Sequence, residues 1–199
     1  MDAAAWDERY AADGLLWTSQ PNNFLVSETA DLVPGRALDV ACGEGRNAIW
    51  LAARGWRVTA VDHSAVGLGK GAELATLAGI DVEWVTADVV TYAPEPVYDL
   101  VVVLYLHLPP DDMRTAVGHA AGGLAPGGTL LLVGHHPDNI ERGIGGPQLP
   151  EVLHSEADIA AMLDGLRIEK ATMVERAVDR AGVTGIALDT LVSAIRDKG

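Results

Sequence analysis

Two uninterrupted apolar runs constrain this chain most: Leu-Val-Val-Val-Leu at residues 100–104 and Thr-Leu-Leu-Leu-Val at residues 129–133. A strand with one wet face alternates apolar and polar residues. A run without alternation is a strand buried on both faces, as in a sheet covered by helices on either side. Three weaker β-rich runs precede them, at residues 36–40, 57–61 and 82–85. Helical stretches separate the runs, at residues 47–54, 64–78 and 110–122. Ser64 is placed to cap the second of these, and the third opens on Pro-Asp-Asp, which suits a first turn. Strand–helix–strand alternation with right-handed crossovers predicts an α/β, doubly wound, mostly parallel sheet with helices on both faces, Rossmann-like. A helix is expected over 156–163. Two β-rich segments, 166–177 and 186–196, then follow with only a Gly-containing loop, 179–185, between them. Two such neighbours pair antiparallel. The expectation is therefore seven strands, one of them antiparallel near an edge.

A length of 199 residues reads as one domain, with residues 1–32 as a helical cover broken near Gly14 and Pro21. Residues 137–150, rich in Gly and Pro, read as a mobile loop above the strand ends. The net charge of −14 repels phosphate backbones and anionic headgroups, which argues against nucleic acid and membrane as partners. Cys42 is the only cysteine, so no internal disulfide and no thiolate-rich zinc site is expected. The first ten residues have no basic start and no apolar run, so no signal peptide and a cytoplasmic location are expected.

The sharpest local signal is the stretch Leu-Asp-Val-Ala-Cys-Gly-Glu-Gly-Arg-Asn-Ala at 38–48, where a strand ends, two glycines follow and a helix begins. Gly43-x-Gly45-x-x-Ala48 satisfies the dinucleotide pattern, a weak signal alone. Asp62 lies nineteen residues past Gly43, placed to accept from ribose hydroxyls. Asp88, after the third strand, is placed to take an adenine amino group, with the Val89 amide facing the ring. Charge separates the ligands. A pyrophosphate wants amides and no anion nearby, whereas Asp39 and Glu44 flank this turn. S-adenosyl-L-methionine (SAM) brings an ammonium and a sulfonium, which such carboxylates suit.

Residues 37–64 resemble the first two motifs of the class I SAM-dependent methyltransferases. Tyr-Asp-Leu-Val-Val-Val at 98–103 resembles that family's fourth-strand motif, and Leu-Ala-Pro-Gly-Gly-Thr-Leu at 124–130 the turn before its fifth strand. Gly45-Arg46-Asn47 and Trp-Asp-Glu-Arg-Tyr at 6–10 look most like the tellurite-resistance and thiopurine (thiol) branch. The resemblance implies SAM as cofactor and S-adenosyl-L-homocysteine as product. It implies Asp39, Ala41 and Gly43 beside the methionine part, Asp62 and His63 at the ribose and adenine edge, Asp88 and Val89 at the adenine, and Leu104 near the end of the fourth strand. Trp17 is implied as a cover. The family commonly has Gly where this chain has Ala41.

Methyl transfer from a sulfonium needs alignment first, and a base only when the nucleophile arrives protonated. Histidine titrates near neutral pH, so His107 and His135, after strands four and five, are the candidate catalytic residues. Tyr10, Tyr105 and His136 are candidate substrate contacts. His119 and His154 are expected at the surface or capping helices, and no metal site is expected. The expected activity is methylation of a small molecule, a thiol or related chalcogen or a phenol-type hydroxyl, by a monomer or homodimer. The alternative is a SAM-binding protein without catalysis, a sensor or partner. An NAD-dependent reductase is disfavoured by the acids of the loop.

Overall fold

The computed structural model describes residues 2–180 and 182–198, with the side chains of Arg180 and Val183 left aside. The strands are β1 Arg36–Val40, β2 Arg57–Asp62, β3 Glu83–Thr86, β4 Tyr98–Leu104, β5 Leu124–His135, β6 Arg167–Arg180 and β7 Val183–Ile195. They form one seven-stranded sheet in the order β3-β2-β1-β4-β5-β7-β6. β1 to β5 pair in parallel, and β7 runs antiparallel between β5 and β6. This is the doubly wound, mostly parallel sheet expected, with its antiparallel strand next to the edge. The helices are α1 Ala3–Tyr10, α2 Asn23–Glu28, α3 Arg46–Ala52, α4 Ala65–Ala78, α5 Pro110–Gly122, α6 Asn139–Arg142 and α7 Glu156–Ala160.

The apolar run of β4 shows why alternation is missing. Val101 and Val103 face one core with Leu130 and Leu132 of β5 and with Met113, Val117 and Ala120 of α5. Leu100, Val102 and Leu104 face a second core with Leu131 and Val133, and with Leu51 of α3 and Leu68 of α4. Each successive residue enters a different core. Capping sets the helix that follows β2. Ser64 Oγ accepts from the Gly67 N–H at 3.0 Å, and Gly79 ends α4 in the left-handed region at φ 68°.

Three expectations are corrected. Residues 179, 180 and 183–185, expected in a loop, are strand, because pairing continues to Arg180↔Val183, while residue 181 lies outside the described residues. β5 begins at Leu124, whose partner is Tyr98, and its pairing with β4 is irregular before Thr129 meets Leu100. The stretch 137–150 contains α6 and is tied down. The Asn139 side chain donates to the Gly145 carbonyl at 2.8 Å and accepts from the Leu188 N–H at 2.7 Å. No described helix is long and apolar enough to cross a membrane.

Candidate cofactor turn and the residues around it

At the carboxyl end of β1 the backbone turns sharply through Ala41 (φ 57°), Gly43 (φ 58°) and Gly45 (φ 72°), all left-handed. Glycine adopts that region freely, and alanine does so at a cost of about 1–2 kcal/mol. The glycine common at the position of Ala41 thus has a conformational reason. Ala41→Gly is expected to raise stability by about 0.5–1 kcal/mol, the strain relieved less the extra freedom of an unfolded glycine. Urea denaturation of the two proteins measures it. A clear loss on substitution would show that Ala41 does not carry this strain.

Asp62 braces the turn. Its Oδ2 accepts from the Gly43 N–H at 2.8 Å and its Oδ1 from the Ser64 N–H at 2.9 Å. Asp39 lies behind the turn, 1% exposed, with Oδ2 buried and without a hydrogen-bond partner among the described residues. Burial pushes its pKa up to about 7, against the pull of the Ala48 N–H and the charge of Arg46. Cys42 packs in the second core, and burial holds its thiol well above the ordinary value.

The N-terminal segment lies across this turn as a strap. Tyr10 is buried, and its ring and hydroxyl stand directly on Gly43 and Gly67; a Cβ on Gly43 would fall 2.6 Å from the hydroxyl oxygen. Trp17 Nε1 donates to that oxygen at 3.3 Å. Glu44, 4% exposed, accepts from the N–H groups of Leu16 (3.1 Å) and Trp17 (3.2 Å). Lys70 donates to the carbonyls of Ala12 and Gly14 at 2.6 and 2.7 Å. Asp7 accepts from Ser64 Oγ (2.5 Å) and the Val66 N–H (3.1 Å). Glu44 is thus engaged with the strap, and Tyr10, expected as a substrate contact, packs on Gly43 of the candidate cofactor turn. A cleft of about 190 Å³ runs between the strap and the helices, lined by Leu15, Thr18, Glu44, Arg46 and Leu74 among others.

Around the same strand ends, His63 is half-buried beside Asp62, and Leu104 is buried. Asp88 is exposed, its Oδ1 accepting from the Val90 N–H at 2.9 Å, while the Val89 side chain belongs to the first core.

His107 and His135 come together as stacked rings, centroids 5.4 Å apart, with the Tyr105 ring 5.0 Å from His135. His107 accepts from the His135 backbone N–H at 3.4 Å. Burial above all, then the neighbouring His135, pushes the pKa of His107 down to about 3. His135 Nδ1 stands 3.0 Å from Oδ1 of Asp189, a fully buried residue on β7. His136, just past the strand end, meets Glu156 at 3.2 Å. His119 is half-buried in the last turn of α5. His154 is not at the surface: it is buried, with Nε2 2.9 Å from the Leu108 carbonyl, and its expectation is corrected. No group of three or more His, Cys, Asp or Glu among the described residues is arranged to hold a metal ion.

Asp189 and Arg176 carry no motif and were not among the sequence candidates. The one available signal is a lone carboxylate inside the β-rich run 186–195. Asp7, Glu44 and Lys70 likewise acquire their tasks only through contacts distant in the chain.

The profile of a methyltransferase domain matches residues 37–128. The uncharacterized methyltransferase Rv0089 of Mycobacterium tuberculosis is 36% identical over 110 residues, 54% of each chain. This chain therefore spans about half the length of the curated relatives it matches. A protein solved in connection with the conversion of a disulfide bond into a thioacetal group during echinomycin biosynthesis superposes with a TM-score of 0.79 at 20% identity, covering 98% of this chain and 93% of that one. The N-methyltransferase NodS of Bradyrhizobium japonicum, solved with S-adenosyl-L-homocysteine, superposes with a TM-score of 0.73 at 19% identity, over 98% and 97% of the two chains. At such identities the likeness shows the fold. Over residues 37–128 the chain is similar to a methyltransferase domain, and along nearly its whole length it has the fold of these solved proteins, a methyltransferase among them.

Proposed function

We propose that this protein methylates a small molecule at the expense of SAM, the acceptor being a thiol or related chalcogen or a phenol-type hydroxyl. The observation that carries the cofactor is Asp39, a buried carboxylate with an unpartnered oxygen behind a left-handed turn. A cation completes such a site, and a pyrophosphate would be repelled by Asp39, Glu44 and Asp62 together. The donor set fits SAM. Asp39, Ala41 and Gly43 would hold the methionine part, Asp62 and His63 the ribose, and Asp88 and Val89 the adenine, with Leu104 as a wall and Trp17 and Tyr10 as the cover. When bound, SAM supplies a methyl group on a positively charged sulfur, an excellent leaving group.

The chain's own part is to align and to exclude water. Orientation alone is worth effective molarities of roughly 10⁵–10⁸ M. The strap of residues 2–17, tied by Asp7, Glu44 and Lys70, supplies the cover. The similarity to a protein from a pathway that remodels sulfur supports the thiol arm of the acceptor class. We read residues 1–199 as one domain with 1–32 as its cover, acting in the cytoplasm on a small molecule, as a monomer or homodimer.

Calorimetric titration with SAM, with NAD and NADH as controls, tests the cofactor. Saturable SAM binding, weakened tenfold or more in Asp62→Ala, is expected. Asp62 also braces the turn, so Asp39→Asn serves as the second variant. Binding of NAD, or of no ligand, would overturn the reading. Mass analysis of products from a thiol and phenol panel tests the acceptor, and SAM binding without any turnover would establish the sensor alternative instead.

A further inference from the structure

Asp189 is 0% exposed on β7, in register opposite His135 of β5. Burying a lone carboxylate is costly unless partners replace its water. Three converge on it. Tyr105 Oη donates to Oδ2 at 2.7 Å, Arg176 Nε donates to Oδ2 at 2.6 Å, and His135 Nδ1 stands 3.0 Å from Oδ1. Burial raises the pKa of Asp189, but contacts with His135, Arg176 and Tyr105 outweigh it and hold the carboxylate below its ordinary range. Arg176 alone would balance the charge. Tyr105 nevertheless adopts φ 60°, strained for a tyrosine, in a conformation that brings its hydroxyl to the same oxygen.

We infer that Asp189 is a positioning residue that keeps the proton of His135 on Nδ1, that His135 Nε2 takes the proton of the acceptor, and that the acceptor is a nucleophile arriving protonated. This rests on the methyl-transfer reading above. Two further points support it. An ionised carboxylate at Nδ1 selects the tautomer with its lone pair on Nε2. His107, stacked on the other side and accepting the His135 N–H, is held neutral by burial and does not compete for the proton. Gly146 lies against the ring at Nε2; a Cβ there would fall 2.7 Å from Cδ2 and 2.9 Å from Nε2. The Gly146 segment therefore covers Nε2 in the free protein, and His135 Nδ1, though 3.0 Å from Asp189, is buried without a hydrogen bond among the described residues. Catalytic hydrogen bonds commonly tighten once substrate is bound. The groups that face His135 are thus Tyr105 and His107 from the segment after β4, Arg176 from β6, Asp189 from β7 and Gly146 from the segment after β5.

In the step, the X–H bond of the acceptor breaks and its proton passes to Nε2. The freed electron pair of X forms the X–C bond to the methyl carbon as the bond from that carbon to sulfur breaks. The imidazolium then returns its proton to solvent. Acceptors already anionic at neutral pH need none of this.

Two measurements on the SAM-loaded protein test it. The first reads the imidazole ¹⁵N shifts of His135 in wild-type protein, with no variant required. The Nδ1–H tautomer is expected, moving toward Nε2–H in Asp189→Asn, and Nε2–H in the wild type would overturn the pairing. The second compares a thiol that is ionised at the assay pH with a phenol or alkyl thiol that is not. His135→Gln and Asp189→Asn are expected to lower kcat about 10²–10⁴-fold for the protonated acceptor and less than tenfold for the ionised one, with SAM affinity unchanged. Arg176→Lys, which keeps the charge, is expected to fall between. Equal losses for both acceptors would overturn the base role. Wild-type protein that binds SAM but methylates neither would overturn the acceptor class. Failure to bind SAM would instead remove the methyl-transfer reading and the acceptor with it, while the tautomer still decides the pairing of Asp189 with His135.

Discussion

Asp39→Asn is expected to stabilise the free protein at pH 8 by about 1–3 kcal/mol while weakening SAM binding at least tenfold. With its pKa raised to about 7, an ionised Asp39 costs the folded state about 4 kcal/mol relative to an ordinary carboxylate. Asparagine removes that cost and keeps an acceptor for the Ala48 N–H, but leaves a buried Nδ2 without a partner, which takes back about 1–3 kcal/mol. The sign follows from proton counts. Between about pH 4 and 7 the folded state binds a proton that the unfolded state has lost, so this group's contribution to stability falls as pH rises through that window. The advantage of the variant should therefore be largest above pH 7 and shrink by roughly 1.4 kcal/mol per pH unit below it. Binding has the opposite sense. A cationic ligand favours the ionised form, so SAM affinity in the wild type should drop up to about tenfold per pH unit below 7 and stay flat in Asp39→Asn. Urea denaturation at pH 8 and 5.5, with calorimetry at both, measures the two effects. A stability difference that does not change with pH would show that Asp39 is not the titrating group.

Gly45→Ala should cost about 2–5 kcal/mol and abolish measurable SAM binding. Gly45 is at φ 72°, where a side chain costs about 1–2 kcal/mol. Its Cβ would also lie 2.3 Å from Cη2 of Trp84, and that ring cannot retreat because it already stands over Gly71, whose own Cβ would meet it at 2.7 Å. Overpacking of this kind adds about 1–3 kcal/mol. Relief requires the turn itself to move, and it is this turn that is proposed to present Gly43 to SAM. Gly55→Ala separates the two contributions. Gly55 is at φ 90°, but its nearest neighbour to a new Cβ is Pro34 at 3.9 Å, so only conformational strain is added there. Equal destabilisation by the two substitutions would show that Trp84 contributes nothing.

The parts of the site legible in sequence were those encoded by neighbours along the chain. Glycines at Gly43 and Gly45 after an apolar run mark a strand-to-helix turn, and Asp62 falls at the next strand end. Less legible was what each acid does. Glu44, read as one of the turn's acids, is bonded to the Leu16 and Trp17 amides. Asp62 has both oxygens on backbone N–H groups, while Asp39 has the oxygen without a partner. Nothing in the spacing of these three distinguishes them. His107 and His135 likewise look equivalent in sequence, and burial together with Asp189 makes them different.

The sequence by itself determined the doubly wound sheet and where its glycine turn lies. Runs such as 100–104 can be buried only between two helical layers, and the order of strands and glycines then leaves one set of strand ends for a ligand. The tertiary structure alone decided which carboxylates brace backbone, which keeps a buried oxygen without a partner and which holds a histidine. Those tasks depend on partners far apart in the chain. Tyr105 and Asp189 meet across 84 positions, and the Gly43 amide and Asp62 across 19. A carboxylate's charge and hydrogen bonds are set by the groups that folding brings within about 3 Å of it, and local sequence does not encode that proximity.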